Sequence, residues 1–235
     1  MRTLILAAAL LALAACGQSA TTPPVSEDEN TSAAMPALTG HVTAIGDDFR
    51  FDADRDIGYV AVFPAHDLTV GAAYAAPRPV ERGLRMESEG VSVTLEPIAC
   101  TRDGLAYPFT ATIELTNAVP ATGCAYERWN AQLLELMPAI TACAGASHGH
   151  WVTYAGREGD AVLVRLEDTN ADCRFVDGQA SLAPRDDGLR MVSEGEAVFV
   201  QGRDGPNPGG ECYEAPEVRN ASGALVGWMM DPEGC

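Results

Sequence analysis

The chain contains no lysine: all of its basic side chains are arginines, and in number they are few, 15 Lys+Arg against 33 Asp+Glu, for a formal net charge of −18. An acidic balance of this size repels nucleic acid and bare anionic lipid headgroups, so neither is an expected partner. The absence of lysine also removes Ser-x-x-Lys nucleophiles and the Gly-Lys-Ser/Thr phosphate loop, so Gly202–Gly210 reads as a turn-rich connection. Four histidines are present, His41, His66, His148 and His150, the third of them inside a single Gly-x-Ser-x-Gly string, Gly145–Gly149. No Cys-x-x-Cys occurs either, which takes support from redox catalysis and from the common zinc frameworks. Long apolar runs are missing as well. The longest, Leu4–Ala15, has 12 residues and cannot span roughly 30 Å of hydrocarbon as a helix.

That short run nevertheless carries the clearest signal present. Arg2, the apolar stretch and the small residues before Cys16 have the layout of a secretory signal peptide. The ending Leu13-Ala14-Ala15-Cys16 resembles the bacterial lipobox, whose cysteine is lipidated and becomes the mature N-terminus. Residues 1–15 are thus expected to be removed, taking the net charge from −18 to −19 with the loss of Arg2. A triacylated Cys16 would anchor the protein stably, where one chain would not. Gly17, in place of an aspartate, favours the outer membrane with the protein facing the periplasm. Residues 16–38 then form the lipidated cysteine and a polar, Pro/Ser/Thr-rich spacer without apolar periodicity.

From about His41 the texture becomes that of strands and turns. Tyr59–Phe63, Val91–Leu95, Phe109–Leu115, Ala161–Leu166 and Ala197–Val200 alternate or run apolar between Gly, Pro, Asp and Asn. Antiparallel strands with one solvated face follow. Between Trp129 and Ala146 the period becomes helical. Pro138 fits best in a first turn, which predicts a helix from near Pro138 to about Gly145. The expected fold is mainly β: two small antiparallel units in tandem, 39–128 and 148–235, joined by a helical junction at 129–147 and stapled by disulfides.

The six cysteines besides Cys16 are Cys100, Cys124, Cys143, Cys173, Cys212 and Cys235. Outside the cytoplasm an even set points to three disulfides, though spacing alone does not choose among the pairings. An internal repeat narrows the choice. Gly83-Leu84-Arg85-Met86-Glu87-Ser88-Glu89-Gly90 recurs as Gly188-Leu189-Arg190-Met191-Val192-Ser193-Glu194-Gly195. Beyond each copy lie two cysteines, 24 residues apart in the first unit and 23 in the second. A duplication would pair Cys100 with Cys124 and Cys212 with Cys235, leaving Cys143 with Cys173.

The segment from Cys100 through Tyr107-Pro108-Phe109 to Gly123-Cys124-Ala125 resembles an uncharacterised family of Gram-negative envelope lipoproteins. Their shared stretch reads approximately Cys-Ser-Asp-Gly-Met-Ser-Asp-x-x-Tyr-Pro-Phe and closes on Gly-Cys-Ala. The serines of that stretch are absent here, and Asp103-Gly104 stand one position late. The resemblance implies an envelope lipoprotein and assigns no activity.

The remaining candidates read as structure. Asp52, Asp54 and Asp56 alternate like a calcium loop, but Ile57 and Phe63 occupy its glycine and glutamate positions, so a solvated acidic turn is expected. Cys143, His148 and His150 would suit a transition metal only were Cys143 free. Glu87/Glu89 and Glu194/Glu196 read as solvent-facing charges that discourage edge pairing. Trp228-Met229-Met230 reads as core. No metal, cofactor or catalytic residue is expected. The expected role is a non-catalytic interaction or binding module with an envelope protein partner. The alternatives are an inhibitor of a periplasmic hydrolase such as lysozyme or a protease, and a metal-binding protein or hydrolase.

Overall fold

Alternation along short segments does produce antiparallel strands, and they assemble into two sheets. The computed structural model describes residues 38, 41–116, 118–202, 207–209 and 214–232, all within one compact unit. Cys16, the spacer up to residue 37, Cys212 and Cys235 lie outside the described residues, and with them the expected lipidation and the expected third disulfide; Leu38, at the end of the expected spacer, packs on the first core.

The first sheet holds β1 (Val42–Gly46), β2 (Arg50–Asp54), β3 (Gly58–Phe63), β4 (Leu68–Ala72), β5 (Arg78–Val80), β6 (Gly83–Ser88) and β7 (Val91–Glu96). After a ribbon of β8 (Cys100–Arg102) and β9 (Leu105–Tyr107), β10 (Phe109–Leu115) and β11 (Ala121–Glu127) complete it. The order is β4-β3-β2-β1-β11-β10-β7-β6-β5, antiparallel throughout. Its two edges, β4 and β5, are consecutive in sequence. Laid flat they would stand about 38 Å apart at ~4.8 Å per strand. The chain from Ala72 to Arg78 reaches at most ~20 Å, so the sheet must curl. Its concave face encloses one core, with Phe51, Tyr59, Met86, Val93, Leu95 and Ile113 all buried. The crossing segment packs on that core through Tyr74 and Ala75, and the Tyr59 hydroxyl donates to the Ala75 carbonyl.

A 3-10 turn at Trp129–Gln132 leads into α1 (Leu133–Ser147). The second sheet follows: β12 (Trp151–Glu158), β13 (Ala161–Leu166), β14 (Ala171–Val176), β15 (Gln179–Pro184), β16 (Val198–Gln201), β17 (Glu217–Arg219) and β18 (Leu225–Met230). Its order is β15-β14-β13-β12-β16-β18-β17. Buried Leu133, Leu136, Ile140 and Cys143 recur at helical spacing and face Val152, Val164, Leu166 and Phe199. The helix is therefore a layer of the second unit, packed on its sheet. It starts five residues before Pro138, earlier than the sequence reading placed it. Pro138 leaves the Leu134 carbonyl without an intrahelical donor, and Leu134 is 52% exposed, so water can take that role. Trp228 is buried on β18, with Met229 and Met230 half-buried beside it.

Two disulfides are present, Cys100–Cys124 between β8 and β11, and Cys143–Cys173 between α1 and β14. Closing loops of 24 and 30 residues, each contributes on the order of 3 kcal/mol in the chain-entropy account. None of the helices in the described residues is long and apolar enough to cross a membrane.

The octapeptide repeat does not repeat in structure. The first copy is β6 and the turn to β7, with Met86 fully buried in the first core. The second copy is an irregular run of turns between β15 and β16. Both end on a glycine in the left-handed region, Gly90 at φ +80° and Gly195 at φ +77°. The local demand is shared; the surroundings decide the rest.

Candidate binding cleft between the two sheets

What draws the second copy out of strand geometry is Arg165, a guanidinium that is 2% exposed on β13. It donates to Asp172 (3.0 and 3.4 Å), to Glu194 (2.7 Å) and to the Asp186 carbonyl (2.8 Å). Burial works against its charge, but Glu194 and Asp172 more than offset that and hold its pKa above the ordinary value. Arg185 grips the other Glu194 oxygen at 2.6 Å and reaches Glu167 at 2.7 Å. Glu194 is thereby fixed to the second sheet. The corresponding residue of the first copy, Glu89, is exposed. Glu194 and Glu196 are accordingly not the solvent-facing charges the sequence reading made them.

Held in this way, residues 192–196 form the seam against the first sheet. Val192 packs on the cluster of Tyr107, Cys124 and Tyr126. Ser193 Oγ accepts from the Trp129 N–H at 3.2 Å. The Tyr126 hydroxyl donates to Glu196, which also lies 3.6 Å from Arg50. Burial, then the Glu196 carboxylate, push the Tyr126 phenol well above its ordinary pKa. Gly195 N–H donates to the Thr153 carbonyl at 3.1 Å, where β12 shifts register against β13.

That irregularity turns Tyr154 toward a cleft of about 510 Å³ between the sheets. Four short segments wall it: Ala106, Pro108 and Phe109 from the ribbon and β10; residues 126–129 and Gln132 after β11; residues 154–157 of β12; and Arg190–Ser193 of the second octapeptide. The lining residues include the aromatics Phe109, Tyr126, Trp129 and Tyr154. A Cβ at Gly156 would stand 2.3 Å from the Tyr154 hydroxyl oxygen, so glycine there leaves the ring its place along the strand. Trp129 is 5% exposed, and its Nε1 has no acceptor among the described residues.

The charge of the lining opposes that of the chain. Arg128, Arg157 and Arg190 face one carboxylate, Glu127, which accepts from Gln132 at 3.0 Å. Arg128 is committed, donating to Asp52 at 3.1 Å and Thr43 at 3.3 Å. Arg157 and Arg190 are both exposed and make no ion pair or hydrogen bond among the described residues. Elsewhere the described arginines are paired, Arg82 excepted. Two unpaired cations in one cleft stand out in a chain with twice as many acids as bases.

The other sequence candidates fall elsewhere. Asp52 is not in a solvated turn: it lies on β2, bonded by Thr43 at 2.7 Å and by Arg50 at 2.8 Å. Burial alone would raise its pKa, and these bonds with that from Arg128 reverse the shift, leaving it lowered. Asp54 caps the following turn by accepting from the Asp56 and Ile57 N–H groups, and pairs with His41 at 3.1 Å. His41, Asp54 and Asp56 can bring one donor atom each within 4.8 Å of one another. The sequence reading missed His41 here because it is brought in by β1–β2 pairing rather than by local spacing. Cys143 is bonded to Cys173, and His148 and His150 are exposed on the loop after α1. Glu87 is exposed and pairs with Arg78 and Arg85.

No family model, curated protein or solved structure matches the chain.

Proposed function

We propose that the protein is a non-catalytic ligand-binding module of the cell envelope, and that the cleft between its two sheets is the binding site. Lipidated Cys16 would hold it on the outer membrane, facing the periplasm. The observation that carries the reading is the cleft itself. Its volume of about 510 Å³ falls within the ordinary range for small-molecule sites, and it is apolar and aromatic with a few convergent polar groups. Three of the four walls are fixed by interactions already described: a disulfide behind the ribbon, the Ser193–Trp129 bond, and the buried Arg165 pair behind the octapeptide. A preformed cleft binds without the cost of ordering its walls.

Binding without chemistry is favoured by the lining. It contains neither histidine nor cysteine, and its one serine, Ser193, is buried and already bonded to Trp129. The segment that resembles the envelope lipoproteins contributes Ala106, Pro108 and Phe109 to the wall, so the resemblance and the site coincide on the chain. The lipobox supplies the address.

Ala106 is exposed at the mouth, so Ala106→Trp fills the cleft without disturbing a core. The test is native mass spectrometry of the mature protein extracted gently from its own membranes. The wild type should retain a small molecule that Ala106→Trp lacks. Identical spectra, with equal thermal midpoints for the two proteins, would overturn the reading.

A further inference from the structure

We propose that the cleft takes an organic anion with an apolar, ring-bearing body, its acid group held by Arg157 and Arg190. The inference rests on the cleft being the binding site, and it names what that site selects. Three observations converge. The body of the lining is apolar and aromatic, suited to a hydrocarbon or planar ring packed against Tyr154 and Met191. The cleft carries three guanidiniums against one carboxylate, and Arg128 and Glu127 are already engaged, which leaves Arg157 and Arg190 as the free donors. The wall also contains an indole N–H, Trp129 Nε1, that is buried without an acceptor.

Charge makes the selection sharp. A chain of net charge −18 repels small anions over most of its surface. A neutral analogue of the same shape should therefore bind at least as well as the anion wherever these arginines are not involved. Preference for the anion that is lost with Arg157 and Arg190 is therefore a property of this cleft. Guanidinium forks meet carboxylate, sulfonate or phosphate oxygens with two N–H groups at once, which suits an acid group of any of these kinds.

A matched pair of fluorescent probes tests this on the mature protein: 1-anilinonaphthalene-8-sulfonate and the neutral N-phenyl-1-naphthylamine, the same ring system without the acid. Both should bind the wild type, and Ala106→Trp should abolish both. In Arg157→Gln/Arg190→Gln, sulfonate affinity should drop about tenfold or more while that of the neutral amine changes by less than about twofold. The two arginines are exposed, and matching thermal midpoints will show that the double variant is folded. No sulfonate binding to the wild type overturns the inference. So does sulfonate affinity that is unchanged in the double variant yet lost in Ala106→Trp; in that case the cleft remains the site and only the acid recognition falls. If Ala106→Trp leaves both probes bound as before, the inference and the binding reading fall together.

Discussion

Arg165→Met removes the interaction on which the second octapeptide, and with it one wall of the cleft, depends. Methionine fills a similar volume, so the loss is electrostatic rather than steric. The substitution strands the carboxylates of Asp172 and Glu194, whose side chains are 10% and 15% exposed. Breaking one partner out of a buried ion pair costs about 3–5 kcal/mol, because the remaining charge is left buried and uncompensated. Arg185 keeps one Glu194 oxygen, which places the expectation nearer the lower end of that range. For a domain of this length each kcal/mol moves the thermal midpoint by roughly 2–4 °C, so a fall of about 6–12 °C is expected by circular dichroism at neutral pH without reductant. Adding Asp172→Asn should recover part of it at neutral pH. A fall of less than about 3 °C refutes the account of how the octapeptide is held.

Three further outcomes follow from the same structure. Tyr126→Phe removes the donor that ties the first sheet to Glu196 and should cost about 1.5–3 kcal/mol in chemical denaturation; no loss would mean that this bond does not help to hold the seam. Tyr59 and Tyr126 both have raised pKa values, chiefly from burial, so the folded state retains protons that the unfolded chain releases. Stability should therefore fall above about pH 10 by up to about 1.4 kcal/mol per pH unit for each. At the acid end the lowered pKa of Asp52 makes stability fall as pH drops below about 4, as protonation weakens its bonds from Arg50, Thr43 and Arg128. Cys16→Ser should move the protein from the membrane to the soluble fraction, and thiol titration of the unfolded, unreduced mature protein should find no free thiol. Unchanged partitioning would remove the lipid anchor from the proposal; two free thiols would place Cys212 and Cys235 outside a disulfide.

How much of this was legible beforehand depended on how local the cause was. Val91–Glu96 and Phe109–Leu115 announce themselves because alternation reflects a sheet with one buried face, a property of the segment itself. The pairing of Cys100 with Cys124 followed from matched spacing, and the structure contains it. Yet the repeat that suggested it splits into a strand and a run of turns, because Glu194 meets two arginines and Glu89 meets solvent. Seven shared residues in eight do not report that difference. The helix began before its proline because the stripe Leu133, Leu136, Ile140 and Cys143 had a sheet to cover, and that burial outweighs one missing N–H. The cleft was invisible for the same reason: its walls lie at residues 106–109, 126–132, 154–157 and 190–193, and only the joining of two sheets brings them together.

The most direct measurement is methyl NMR of protein labelled at methionine ε-carbons, titrated with the small-molecule fraction of the native envelope. Met191 lines the cleft, whereas Met86 is sealed in the first core. A binding cleft predicts that the Met191 resonance shifts saturably while Met86 stays in place, and that Ala106→Trp suppresses the shift. A Met191 resonance that no fraction moves, or one that moves only together with Met86, would contradict the claim that this cleft is where the protein works.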